Sequence, residues 1–72
     1  DEGMLPGVAD LILLKSNRFY GALCVEMKKP GEYQRPVQKE WQKECEANGN
    51  KYIVVRSLDE FIKVVDNYLK DI

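Results

Sequence analysis

The stretch GVADLILLKSNRFYGALCVEMKK, residues 7–29, decides the fold. It reads as two strand-forming runs, about 9–15 and 19–29, separated by a polar turn at Ser16, Asn17 and Arg18, and so as a hairpin. Its charges sit oddly for core strands: Asp10 opens the first run, and Glu26 and Lys28 close the second. Side chains alternate along a strand, so Ala22, Cys24, Glu26 and Lys28 share one face while Leu23, Val25 and Met27 share the other. Whether Asp10 joins Glu26 depends on loop parity. A connecting loop of about five residues, such as 16–20, sets Asp10 directly opposite Glu26, whereas a loop of about four sends it to the other face.

Outward from the hairpin, the opening DEGMLPGVAD is a loop leading into the first strand, and Pro30, Gly31 and Pro36 break the second. PVQKEWQKECEAN, 36–48, reads as a helix with Pro36 in its first turn and Gly49 just past its end. KYIVVRS is a short apolar strand. Ser57 with Glu60 three residues on forms a capping box. It opens a last helix whose Leu58, Phe61, Ile62, Val65, Leu69 and Ile72 make one broad apolar face. The order is strand, strand, helix, strand, helix. A helix between the second and third strands is a crossover that sets them parallel, giving an α/β fold with a small mixed sheet flanked by helices.

Seventy-two residues make at most one domain, spanning 1–72, whose core buries only about 60% of the surface the unfolded chain exposes. A second subunit would relieve so thin a core. The chain has no histidine and two cysteines, which removes Ser/His and Cys/His nucleophiles and every histidine-containing zinc site. Cys24 and Cys45 fall on apolar faces and read as buried thiols in a reducing compartment. No apolar run reaches the roughly 18 residues that span a bilayer, so an intracellular, membrane-free protein is expected. The net charge of −1 does not announce a nucleic-acid binder. Local charge has to decide.

Two carboxylates facing each other across neighbouring strands repel unless a cation sits between them. A hard divalent ion such as Mg2+ fits, held by Asp10, Glu26 and the Met27 backbone carbonyl. Lys28 would then help position or deprotonate a water for attack on a phosphodiester. On the following helix Arg35, Lys39 and Lys43 form one stripe and Val37, Trp41 and Cys45 another. Gln38 lies at a boundary between them, with its amide able to reach a phosphate oxygen or a metal-held water. Lys28 and Lys29 extend the basic stripe into a zone suited to a phosphate backbone. Tyr33, in the loop, is the more exposed aromatic for a nucleotide contact, and Trp41 reads as a core anchor.

These residues resemble the PD-(D/E)XK nuclease superfamily, and within it the virus-type replication-repair nuclease (VRR-NUC) family. The likeness runs through GVADLIL (7–13), CVEMKKPG (24–31), QKEW (38–41) and NGNKYIVVRSLDEF (48–61). It implies a restriction-endonuclease-like core that cuts DNA with Mg2+ or Mn2+. Asp10 and Glu26 would ligate metal, Lys28 serve the water, and Gln38 be the helical active-site glutamine. Small members resemble junction-resolving enzymes of phages and prophages that act as homodimers in the bacterial cytoplasm, which implies branched DNA as partner. The residues assign no dimer surface; the C-terminal helix, whose Val64 and Tyr68 lie beside its main apolar face, is the candidate for it. Ala9 stands where the family often has proline. Only nine residues precede Asp10, where members usually begin with a helix carrying another acidic group, so a trimmed chain or a substitute in Glu2 is expected. A non-catalytic nucleic-acid-binding or interaction module on the same fold is the alternative, and a sequence-specific or RNA-cutting use of it a second.

Overall fold

The computed structural model describes residues 7–71; Glu2, Pro6 and Ile72 lie outside the described residues. Three strands, β1 (Leu11–Leu13), β2 (Leu23–Met27) and β3 (Lys51–Val55), alternate with two helices, α1 (Pro36–Ala47) and α2 (Leu58–Lys70), in the order β1-β2-α1-β3-α2. The sheet order is β1-β2-β3, with β1 antiparallel and β3 parallel to β2. The crossover helix thus sets β3 beside β2 as its position in the chain requires.

Both hairpin strands are shorter than their sequence suggests. At the closed end, the Asn17 side-chain carbonyl accepts the Phe19 and Tyr20 N–H groups and winds the chain into a turn. Its amide donates to the Tyr68 carbonyl, so the turn is tied to the end of α2 rather than paired as a ladder. At the open end, pairing of β1 with β2 stops after Leu11, because the Met27 N–H goes to the Asp10 carboxylate. The expected odd-loop register nevertheless holds. Leu11 faces Val25 and Leu13 faces Leu23, with the nine residues 14–22 between the strands.

The alternation of β2 divides the core in two. Leu23, Val25, Val55 and Tyr68 pack together, joined by Leu13, Ile53, Phe61, Val64 and Val65, on the side covered by α2. Cys24, Cys45, Ala9 and Tyr52 pack with Trp41 and Val54 on the side covered by α1. Glu26 and Lys28 follow the parity of Cys24.

Helix ends form as their residues dictate. Pro36 occupies the first turn of α1, and Gly49 follows its C-cap at φ +81°. Ser57 caps α2 by accepting the Glu60 N–H at 3.1 Å. The Glu60 carboxylate returns to the Arg56 N–H, one residue earlier than a reciprocal box would have it.

α2 is rotated from its expected setting. Phe61, Val64, Val65 and Tyr68 face the sheet, while Leu58 is 68% and Ile62 55% exposed. Both stripes have helical spacing; Tyr68 selects the inner one because its hydroxyl donates to the Lys15 carbonyl at 2.7 Å and so reaches under the hairpin. Val64 and Tyr68 therefore belong to the core, and their candidacy for a dimer surface is corrected. The outward apolar residues of α2 are Leu58, Ile62 and Leu69.

Candidate active site

The β1–β2 register, continued one residue beyond Leu11 and Val25, sets Asp10 opposite Glu26. The carboxylate of Asp10 accepts the Met27 N–H at 2.8 Å, occupying the place of a strand carbonyl beside the last residues of β2. Glu26 is only 2% exposed, and its Oε1 accepts the Tyr52 hydroxyl at 3.1 Å. The two carboxyl groups lie close enough for a side-chain hydrogen bond between them.

Burial raises the Glu26 pKa above its ordinary 4.5, and the neighbouring Asp10 carboxylate raises it further. The Tyr52 hydroxyl and the Lys28 ammonium act in the opposite direction. Lys28 is half-buried just past the end of β2, its N–H donating to the Val55 carbonyl at 2.9 Å, so its parity with Glu26 is retained. The Tyr52 phenol is itself pushed up to about 12, chiefly by burial, and stays a hydrogen-bond donor throughout the neutral range.

Gln38 is 4% exposed in the first turn of α1, and its Oε1 accepts the Arg35 N–H at 2.8 Å. The side-chain carbonyl is spent on capping the helix, leaving the amide N–H groups as the part able to meet an anion. Gly7 lies against this same turn: a Cβ there would come within 2.3 Å of the Val37 carbonyl oxygen. The segment leading to Asp10 and the N-terminus of α1 are therefore in direct contact.

Lys29, Tyr33, Arg35, Lys39 and Lys43 are all exposed, Tyr33 at 82%. Trp41 is half-buried with its ring 6.0 Å from that of Tyr52, the anchor its position implied. Cys24 and Cys45 are buried free thiols with sulfurs 3.3 Å apart; burial, chiefly, pushes Cys45 up to about 12. A thiol held protonated in this way is no nucleophile.

Two features escape the sequence reading. Arg56, just beyond β3, donates to the Lys29 carbonyl at 3.0 Å and the Glu32 carbonyl at 2.6 Å, pinning the loop that follows Lys28. An open groove lined by Lys28, Lys29, Arg56 and Leu58 runs past the carboxyl ends of the parallel strands, where open α/β sheets usually bind ligands. Tyr52 and Gln34 make the second feature, a polar chain behind Glu26. Parity marks Tyr52, since it faces Cys24 in the parallel register and lies on the α1 side, whereas an apolar run alone hides it.

No protein-family model matches the chain, and no curated protein does. A solved structure described as a "VRR_NUC domain protein" superposes with a TM-score of 0.90 over 96% of the chain at 31% identity. The chain has the VRR-NUC fold. It spans 57% of the length of that VRR_NUC protein. The β-β-α-β-α order with a mixed three-stranded sheet is the restriction-endonuclease-like architecture expected of such a domain. Among the described residues no three or more His, Cys, Asp or Glu side chains converge in a way that could hold a metal ion by themselves. No helix among them is long and apolar enough to cross a membrane.

Proposed function

We propose that this chain is the divalent-metal-dependent catalytic core of a DNA endonuclease. The observation that carries the reading is the antiparallel register that brings the Asp10 and Glu26 carboxyls together at the end of β2. The donor set fits Mg2+ or Mn2+. Two hard oxygens, one on a nearly buried carboxylate, crowd each other, and one cation of charge two relieves both. The Met27 carbonyl is the candidate third ligand.

When bound, the ion would lower the pKa of a water and stabilise charge on the phosphoryl group. The chain's own residues would do the rest. Tyr52 and the Met27 N–H hold the two carboxylates in place. Lys28, drawn toward the carboxylate pair, would orient the attacking water or take its proton. The Gln38 amide would donate to a phosphate oxygen. Lys29, Tyr33, Arg35, Lys39 and Lys43 would track the DNA backbone as exposed, flexible contacts.

The same reading extends to structure-selective cutting of branched DNA by a homodimer, in which two-fold symmetry would pair two sites. It also extends to a phage or prophage protein working inside a bacterial cell. Buried free Cys24 and Cys45 suit a reducing compartment.

The test is cleavage of four-way, flap and linear duplex DNA with Mg2+ or Mn2+ by the wild type and by Asp10→Ala, Glu26→Ala and Lys28→Ala. Metal-dependent cutting by the wild type, with losses of about 10²-fold or more in each variant, is expected. Undiminished cutting by the Asp10 and Glu26 variants would sink the site assignment. Tight DNA binding without cleavage under either metal would favour the non-catalytic module.

A further inference from the structure

Behind Glu26 a chain of side-chain hydrogen bonds runs on past Tyr52 to Gln34, Gln42 and Glu46. The Gln34 amide donates to both the Tyr52 hydroxyl at 3.2 Å and Gln42 Oε1 at 3.1 Å. Gln42 in turn donates to Glu46 Oε2 at 3.3 Å, and Tyr52 donates to Glu26 Oε1 at 3.1 Å. The row runs without a break from Glu46 on α1 through Gln42, Gln34 and Tyr52 to Glu26. Gln34 directs both of its N–H groups into the row. Because the Tyr52 oxygen accepts from Gln34, its own proton is directed at Glu26.

Tyr52 is rigid for reasons of packing. It is 6% exposed, is the second residue of β3, and lies against the Trp41 ring in the α1-side core. Gln34 is different, being half-buried in the loop between β2 and α1, flanked by exposed Tyr33 and Arg35. The row therefore joins a loop that faces solvent to a carboxylate that does not.

Building on the metal-site reading above, we propose that Tyr52, oriented by Gln34, is a positioning residue. It fixes Glu26 Oε1 so that Oε2 stays turned toward Asp10 and the metal, and it ties metal affinity to the conformation of the loop carrying Tyr33 and Arg35. A carboxylate is free to turn about its last bond. One buried phenol on one oxygen removes that freedom, and hydrogen-bond partners of metal ligands commonly matter at about 10–100-fold in affinity. Binding of a nucleic-acid backbone to the loop would act on the metal site along this row, and by linkage the metal would act on the loop to the same extent.

The experiment is Mn2+ titration of the full chain without DNA, by calorimetry and by the electron paramagnetic resonance signal of the free ion. Wild type, Tyr52→Phe, Gln34→Leu, Asp10→Ala and Glu26→Ala are compared. Tyr52→Phe keeps the ring against Trp41 and removes only the donor. Its expected loss is about 10-fold in Mn2+ affinity, with a smaller loss for Gln34→Leu and recovery of cleavage at saturating Mn2+. Gln34→Leu lies outside the core and serves as the second variant should Tyr52→Phe fold poorly. Mn2+ affinities of Tyr52→Phe and Gln34→Leu equal to wild type, with Asp10→Ala and Glu26→Ala defective, would overturn this inference and leave the metal site standing. Wild-type affinity in Asp10→Ala and Glu26→Ala would overturn both.

Discussion

Replacing Gly7 with alanine asks whether the segment before Asp10 is held against α1 as tightly as its geometry demands. Gly7 has φ +84°, and a Cβ there would stand 2.3 Å from the Val37 carbonyl oxygen and 2.6 Å from the carbonyl carbon. Ordinary contact begins near 3.4 Å, so backbone must move by about 1 Å. Two costs add. A left-handed φ at a non-glycine residue costs roughly 1–2 kcal/mol, and overpacking against an unyielding backbone roughly 1–3 kcal/mol. The expected loss is roughly 2–5 kcal/mol, against a total of roughly 4–11 kcal/mol for a chain of this size. Gly31→Ala supplies the control: its φ is +87°, but nothing lies within 4 Å of a Cβ, so only the backbone cost of roughly 1–2 kcal/mol applies. Urea unfolding followed by circular dichroism measures both variants, with the midpoint as readout and an unchanged slope confirming that the unfolded states are comparable. A Gly7→Ala loss no larger than that of Gly31→Ala would refute the close approach between the segment before Asp10 and the first turn of α1.

Two further outcomes are expected. Glu26 has its pKa raised above 4.5 in the folded state, so between 4.5 and that raised value the folded chain binds more protons than the unfolded one. Stability in EDTA therefore falls as pH rises through this window, and Glu26→Gln should melt higher than wild type at neutral pH, with the difference gone below pH 4.5; an equal or lower melting temperature at neutral pH would contradict the crowding of Asp10 and Glu26. Arg56→Ala removes the donors that hold the Lys29 and Glu32 carbonyls. The bond between Lys28 and Lys29 should then be cut by trypsin several-fold faster, as expected when a local opening loses roughly 1–2 kcal/mol of restraint, and an unchanged rate would show that the loop is held by other means.

Much of the frame was legible from parity and punctuation. Side-chain alternation in 22–28 and an odd connection were enough to put Asp10 opposite Glu26, because a slip of one residue would have moved every apolar side chain of the strand to the wrong face. Pro36, Gly49 and Ser57 marked helix ends through local rules that tertiary contacts left intact. Two other features depended on distant partners. The rotation of α2 was hidden, since Leu58 and Ile62 are as apolar as Val64 and Val65, and only the reach of Tyr68 to the Lys15 carbonyl selects between stripes. Tyr52 was hidden by its neighbours: within an apolar run a tyrosine looks like bulk, and its hydroxyl gains meaning only when the parallel register brings it toward Glu26. Gln38 was partly legible. Its place on the helix was predictable, but the use of its carbonyl oxygen as a cap depended on Arg35 taking an extended conformation at ψ 158°.

Central strand β2 has one side committed to holding the chain together and the other to what surrounds Glu26. Leu23 and Val25 touch the α2 layer, and Glu26 stands between them and Lys28 in the chain while facing away from them. Mutational drift on the α2 side can thus retune thermal tolerance without touching the carboxylate pair, whereas on the α1 side the residues around Glu26 also pack a core of their own, so that a change in the chemistry there is also a change in stability. A chain of this length has little room for separate modules of stability and activity. Here they are interleaved residue by residue along a single strand.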